Sequence, residues 1–270
     1  QVRTKEQRFA ELQGDAAPIG RWKRVADLWC AAWFDPAVRH VNRGLFESLL
    51  RTGLPALSAS VEASLLERTS AVASLQRFFH WELEFPDVFH PREREAPGFD
   101  AVIGNPPWEM TRGDAGDERA RAHAARAGST LTRFARGSGT YRLQGAGHAN
   151  LYQMFVERSL ALVRDGGRLG LVLPSGIASD HGCSALRRHL LGRTAIDSFT
   201  VVENHDRLFP IHRSLKFVAL TLTSGGAATT ELPIHAGVRS AQQLDQLPES
   251  GADPLGVSVP VRLIERLSGE

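Results

Sequence analysis

The sequence predicts an α/β domain behind a helical N-terminal segment. Three observations carry that expectation. Residues 1 to about 80 place apolar side chains at helical spacing. From Phe99 onward, short β-rich runs alternate with helical ones. Turn residues punctuate each change, at Gly104-Asn105-Pro106-Pro107, Asp165-Gly166-Gly167, Pro174 and Gly225-Gly226. Strand–helix–strand–helix–strand order is the pattern of an α/β sheet.

The first helix is outlined by Trp22, Val25, Trp29 and Trp33, with Arg21, Lys23, Arg24 and Asp27 on other faces. Core packing explains those tryptophans. Asp35-Pro36 ends the segment, because a residue before proline is driven out of the helical region. Phe46, Leu49 and Leu50 suggest a second short helix, closed near Gly53 and Pro55. Val61, Leu65, Leu66, Val72, Leu75 and Phe78 outline a third. His80, Glu82 and Glu84 alternate as on a strand, where a solvated or hydrogen-bonded face accounts for them better than a metal site.

Phe99 to Ile103 is a β-rich run that stops at Gly104. Residues 109 to 149 follow with little periodicity and read as a long loop. They hold seven arginines against four acidic residues. A loop of that length is usually functional or disordered. A helix from about Asn150 to Arg164 turns Leu151, Phe155, Leu162 and Val163 inward. A buried strand runs from Arg168 to Leu173. A helix near Ser184 to Leu191 precedes a strand at Ile196 to Val202, and Leu215 to Thr223 alternates like a further strand. After Gly226 the chain reads as loop. The expected organisation is therefore a helical segment over 1–80, an α/β domain over 81–226, and a linker or the start of a further region over 227–270.

Composition limits the function classes less than the motifs do. The net charge of +2 does not announce a nucleic-acid binder, so any basic surface must be local. No apolar run approaches the roughly 18 residues of a membrane span. Cys30 and Cys183 are far apart and lack metal-ligand spacing, which suggests a reducing compartment and no disulfide framework. A cytoplasmic location and no bound metal are expected. The chain begins at Gln1 and reads as a piece of a longer polypeptide.

In an open α/β sheet, ligands bind outside the carboxyl ends of the strands. Asn105-Pro106-Pro107-Trp108 lies at such an end. The prolines stiffen the turn and bring no competing N–H. The Asn105 side chain offers a carbonyl acceptor and Trp108 a flat face. Together they suit an exocyclic amino group on a planar ring.

The run Phe99 to Trp108 resembles motif IV of amino-group DNA methyltransferases in its adenine form. Asn150 to Glu157 is similar to the following helix of TaqI-like and Eco57I-like enzymes, and Gly166 to Ser175 to their next strand and exit loop. Leu208-Phe209-Pro210 with the strand after Lys216 resembles the later motif that supplies a second aromatic. His80 to Phe89 resembles the stretch before motif IV in Eco57I-type modification enzymes. The resemblance covers roughly 80 to 226, and several elements in the right order make it fairly specific.

It implies the C-terminal half of a Rossmann-like, S-adenosylmethionine-dependent methyltransferase fold, behind a helical insertion. It also implies transfer of a methyl group to N6 of an adenine flipped out of double-stranded DNA. The resemblance gives Asn105 and Pro106 the role of accepting the N6 hydrogens, with Asn105 also beside the cofactor. Trp108 stacks on the base and Phe209 opposes it, with Phe217 the weaker candidate. Arg112, Arg119 and Arg133 are candidate DNA-backbone contacts. The resemblance further implies that 81–226 is the catalytic domain and 227–270 a linker or the start of a target-recognition region, that the setting is the bacterial cytoplasm, and that a restriction nuclease domain or subunit is a partner.

Two departures matter. Trp108 replaces the commoner Tyr and is frequent in N4-cytosine enzymes, whereas those usually carry Ser in place of Asn105. The family's glycine-rich cofactor loop is not found in residues 1 to 98, and Gly137-Ser138-Gly139 and Gly145-Ala146-Gly147 read as loop glycines. The cofactor half is therefore expected upstream, and the fragment alone is expected to be inactive. A protein-glutamine methyltransferase and a non-catalytic DNA-binding or scaffold subunit remain as alternatives. Pro86-Asp87 with Glu93-Arg94-Glu95 lacks the lysine of a metal-dependent nuclease site.

Overall fold

The computed structural model describes residues 18–40, 59–91, 96–108, 118–145, 150–247 and 256–268, with the side chains of 18, 59, 62, 118–127 and 268 outside that description. The chain divides into two compact units, Gln1–Glu93 and Arg94–Glu270. Among the described residues no helix is long and apolar enough to cross a membrane.

In the first unit, α1 (Pro18–Phe34) packs against α2 (Ala59–Gln76). The buried line of α1 is Val25, Leu28 and Ala31, joined by Val38 beyond its end. Leu65, Val72 and Phe78 pack on the cluster formed by Leu28, Ala31 and Val38. This corrects the expected stripe. Trp22 is 42% exposed, while Leu28 and Ala31 occupy the centre. Small side chains let the helices approach, and the large indoles fit at the flanks. Val61 and Leu75 point outward as well.

Asp35 closes α1. Its carboxylate accepts from the Ala37 amide at 2.8 Å and from the Arg68 guanidinium at 2.8–3.1 Å, so one side chain stops α1 and holds α2. The helix expected around Phe46 to Leu50 lies outside the described residues. His80, Glu82 and Glu84 are not on a strand, because Trp81–Glu84 (α3) and Pro86–Phe89 (α4) are single helical turns. His80 Nε2 meets Asp27 Oδ1 at 2.7 Å, and the Glu84 carboxylate faces Lys23. No cluster of metal-ligating side chains occurs among the described residues.

The second unit is built on a six-stranded mixed sheet in the order β1-β2-β4-β3-β5-β6. The strands are β1 (Phe99–Gly104), β2 (Val163–Pro174), β3 (Thr194–Glu203), β4 (Lys216–Ser224), β5 (Glu231–Val238) and β6 (Gly256–Pro260). Strand β1 runs parallel to β2, with Gly104 opposite Leu171. Strand β4 runs antiparallel between β2 and β3, pairing Phe217 with both Pro174 and Val202. Strand β5 is parallel to β3, and β6 antiparallel to β5. Together with the intervening helices, this is the expected α/β fold.

Helix α6 (Leu151–Leu162) packs on β1 and β2, and α8 (Ser184–Arg193) packs on β3. Tyr152 and Val156 of α6 join Leu171, Leu173, Leu186 and Leu220 in the main core. Phe155, expected inward, is 49% exposed.

Two expectations need correction. Residues 118–137 are not loop but α5 (Glu118–Gly137). Alanine and arginine favour helix, and a mostly polar surface hides the apolar stripe from a periodicity search. Leu131 and Ala135 of that helix pack with Tyr141, Leu151 and Met154. The chain after Gly226, read as loop, supplies β5 and β6 to the same sheet. Pro233 and Gly237 interrupt its apolar pattern and conceal the strand.

The segment after α5 is latched to α6 by Glu157. Its buried carboxylate accepts from the Arg142 amide, from the Leu143 amide at 3.0 Å and from Gln144 Nε2 at 2.8 Å. Gly145 is more than a loop glycine, since a side chain there would strike the Gly182 backbone.

Gly98 sets the entry to β1. Its φ is +116°, and a Cβ would lie 2.7 Å from the Arg164 nitrogen and 2.9 Å from the Leu162 oxygen. Gly98→Ala should therefore lose at least about 1–3 kcal/mol of stability, the usual cost of such a backbone strain, as read from denaturant midpoints. The thiols make a second prediction. Burial and the Asp27 carboxylate push Cys30 up to about 12, and burial also raises Cys183, which contacts Tyr152 Oη at 3.1 Å and Gln153 Nε2 at 3.0 Å. Only the thiolate reacts, so both should resist a thiol reagent at neutral pH until the chain unfolds. The unfolded Cys30 thiol ionises near 9.0 while the folded one stays protonated. Stability should thus be intact below that pH and fall as the pH rises toward 12.

Candidate active site at the carboxyl ends of the strands

Three chain segments converge at one end of the sheet. Strand β1 exits into Asn105-Pro106-Pro107-Trp108. Strand β2 exits through Pro174 into Ser175 and the single turn α7 (Gly176–Ser179). Strand β3 exits into the 3-10 turn Asn204–Asp206 and the loop that returns to β4. Because β4 is antiparallel, its first residues, Lys216 and Phe217, lie at the carboxyl ends of β2 and β3. The Ser175 amide donates to the Lys216 carbonyl at 3.1 Å and joins two of the exits.

Within the turn after β1, Pro106 is buried, Trp108 is half-buried, and Asn105 and Pro107 are exposed. The β1–β2 register ends at Gly104 and Leu171, one residue short of Val172. There the Trp108 Nε1–H donates to the Val172 carbonyl at 3.3 Å. The indole thus takes over where the strand pairing stops, and the ring has a fixed edge. Asn105 is left with its side chain toward solvent at the strand end.

The aromatic residues singled out by sequence come together here. The Trp108 ring lies 6.2 Å from Phe209, tilted by 52°, and 6.0 Å from Phe217, tilted by 40°. Phe209 and Phe217 meet edge to face at 4.9 Å. Their environments differ. Phe217 is 3% exposed and belongs to a buried cluster with Val202 and Val238, whereas Phe209 and Trp108 are half-buried at its margin. Phe217 is therefore the floor, and Trp108 and Phe209 are the two faces that a planar group can reach.

The arginine candidates are not gathered in the same way. Arg112 lies outside the described residues. Arg119 is in α5, its side chain outside the description, and Arg133 is exposed on that helix. Sequence reading passed over a group of polar and basic side chains: His205, Arg207, His212, Arg213 and Lys216 are all exposed on or beside the loop that carries Phe209. Lys216 and Arg239 both pair with Glu203 at 2.9 Å, which holds the Glu203 carboxyl below its ordinary range. The most informative residue missed is Asn204, which is fully buried and has both ends of its amide bonded into that loop.

A family model described as the Eco57I restriction-modification methylase matches residues 27–209. No curated protein matches the chain in sequence. Solved structures resemble it at low identity. One of a type I R-M system shares 15% identity, over 68% of this chain and 38% of that one, with a TM-score of 0.42. The type IIG restriction endonuclease BpuSI shares 15% over 62% and 20%, with a TM-score of 0.40. The M protein of the type I restriction enzyme EcoKI shares 16% over 57% and 27%, with a TM-score of 0.36. The chain thus spans well under half the length of each.

The contrast between floor and face is measurable. Phe217→Ala should destabilise the fold by about 3–5 kcal/mol, as expected for a buried aromatic. Phe209→Ala should cost less than half as much. Chemical denaturation of the two variants gives both numbers.

Proposed function

The chain belongs to the Eco57I restriction-modification methylase family, and on that premise we propose that it forms the base-holding side of a DNA methyltransferase site specific for adenine N6. The observation that carries this reading is the turn after β1. It offers Asn105 at an exposed strand end and holds Trp108 by its indole N–H beside the half-buried ring of Phe209.

The chemistry follows from the groups present. The N6 lone pair of adenine is delocalised into the ring and is a poor nucleophile. The Asn105 side-chain oxygen and the Pro106 carbonyl accept the two N6 hydrogens. That draws the nitrogen toward tetrahedral geometry and localises the pair, so no strong base is needed before attack. Holding the amino group in one orientation supplies much of the effect. The base must leave the duplex to reach the turn. Trp108 and Phe209 then replace the lost base stacking, which is worth about 1–3 kcal/mol per base on an aromatic platform.

The methyl donor of this reading is S-adenosylmethionine. The glycine pair Gly225-Gly226 that follows β4 lies at the end of the sheet away from Asn105, so in this reading these residues supply the acceptor side of the site. Strand β1 lies at the edge of the sheet, and Ile103 on it is 90% exposed. An edge strand offers unpaired backbone groups to a further strand. DNA is the substrate and a restriction nuclease the partner in this reading. The basic residues around Phe209 and on α5 are suited to phosphates. A bacterial cytoplasmic setting goes with the same reading.

The test is methylation of DNA by the full-length parent protein, with modified bases identified by mass spectrometry. N6-methyladenine is expected, and Asn105→Ala should reduce it by about two orders of magnitude or more. N4-methylcytosine in its place would transfer the site to cytosine, as Trp108 alone would permit. Undiminished N6-methyladenine in the variant would remove the assignment. Methylation of a glutamine-bearing protein in competition with DNA would favour the protein-directed alternative.

A further inference from the structure

Asn204 follows β3 and is fully buried. Its side-chain nitrogen donates to the carbonyls of Phe209 and Ile211, both at 3.1 Å. Its side-chain oxygen accepts from the Phe209 amide at 3.0 Å. The backbone of Asn204 is also engaged, with its amide on the Leu215 carbonyl and its carbonyl receiving the Arg207 amide. One side chain therefore fixes both polar groups of the Phe209 backbone and the carbonyl two residues on. Without it the Phe209 amide and the Ile211 carbonyl would lose these bonds, and the Phe209 carbonyl would keep only the Ile211 amide, which donates to it at 2.8 Å.

A second feature shows how tightly this loop is specified. Arg207 adopts a left-handed conformation, with φ of 57°. That conformation is uncommon for a non-glycine residue and persists where surrounding contacts over-determine it. It lies between Asn204 and Phe209 and turns the chain back toward the aromatic cluster. The Phe209 ring then rests edge to face on the buried Phe217. Its backbone is thus tied by Asn204 and its ring supported from below, while the side toward Trp108 stays half-exposed.

We propose that Asn204 is a positioning residue that sets the tilt of Phe209 against Trp108, and so the aromatic surface on which the target base stacks. This inference rests on the proposed base-holding role of Phe209. A carboxylate of the same shape cannot substitute. Asp in place of Asn204 retains the bond from the Phe209 amide but sets a negative oxygen against two carbonyl oxygens.

The experiment compares single-turnover methylation and DNA affinity of the full-length protein with those of Asn204→Asp, Asn204→Ala, Phe209→Ala and the double variant Asn204→Ala/Phe209→Ala. Either Asn204 substitution should slow methylation by about tenfold to a hundredfold, the scale of misplacing a group near a reacting centre, and should weaken DNA binding no more than Phe209→Ala does. The double variant should be no slower than Phe209→Ala alone, because Asn204 acts through that ring. Multiplicative losses would overturn the proposal, as would Asn204 variants of full activity beside an impaired Phe209→Ala. A Phe209→Ala protein of full activity would instead remove the base-holding role itself. Hydrogen exchange of the unmodified protein covers the case in which the Asn204 variants do not fold. The Phe209 amide should be protected well beyond its exposed neighbours His205 and Arg213, and rapid exchange there would also overturn the proposal.

Discussion

The reversed strand β4 is the constraint on which the second unit depends. It is hydrogen-bonded along its length to β2 on one side and β3 on the other, antiparallel to both. A strand that runs back between two neighbours delivers its first residue to the edge where theirs end. Phe217 therefore stands opposite Pro174 and Val202. The connection from β3 to β4 has no freedom to cross the sheet, so Phe209 must lie at the same end as the turn after β1. The central position of β4 also explains its burial, with Phe217, Val218, Leu220 and Leu222 all covered.

That arrangement separates support from reactivity. Apolar burial holds Phe217 and its neighbours, and it is non-directional. It cannot by itself set the angle of a ring. Directional bonds do so at the margins, through the indole N–H of Trp108 on the Val172 carbonyl and the amide of Asn204 on the Phe209 backbone. Each uses a backbone group that the sheet ladder leaves free. The two half-buried aromatic rings are thus positioned by the ends of strands, and Asn105 is exposed beside them at the end of β1.

Legibility in the sequence followed the strength of the local signal. Strands β1 to β4 and helices α1, α2, α6 and α8 were readable because Leu, Val and Ile recur there at one period and turn residues bound them. Helix α5 escaped because its apolar residues are few and its arginines many. Strand β5 escaped because Pro233 and Gly237 interrupt its pattern. Trp22 and Phe155 misled in the other direction, since helical spacing reports a face and not what covers it. In the site, Asn105, Pro106, Trp108 and Phe209 were singled out because they lie within recognisable runs. Asn204 was not, because a buried asparagine and a turn asparagine look alike until their partners are known.

By itself the sequence determined the α/β class, the family, and the turn at the end of β1, because these depend on local periodicity and on residues adjacent in the chain. Only the tertiary structure decided that Trp108, Phe209 and Phe217 form one cluster. Only there did Phe217 become its floor, and Asn204 the residue that ties the Phe209 loop. Those relations join residues about a hundred positions apart, such as Trp108 and Phe209, or on opposite sides of a loop, such as Asn204 and Ile211. The reversed central strand creates them, and neither its direction nor its place in the sheet is written in the period of its own side chains.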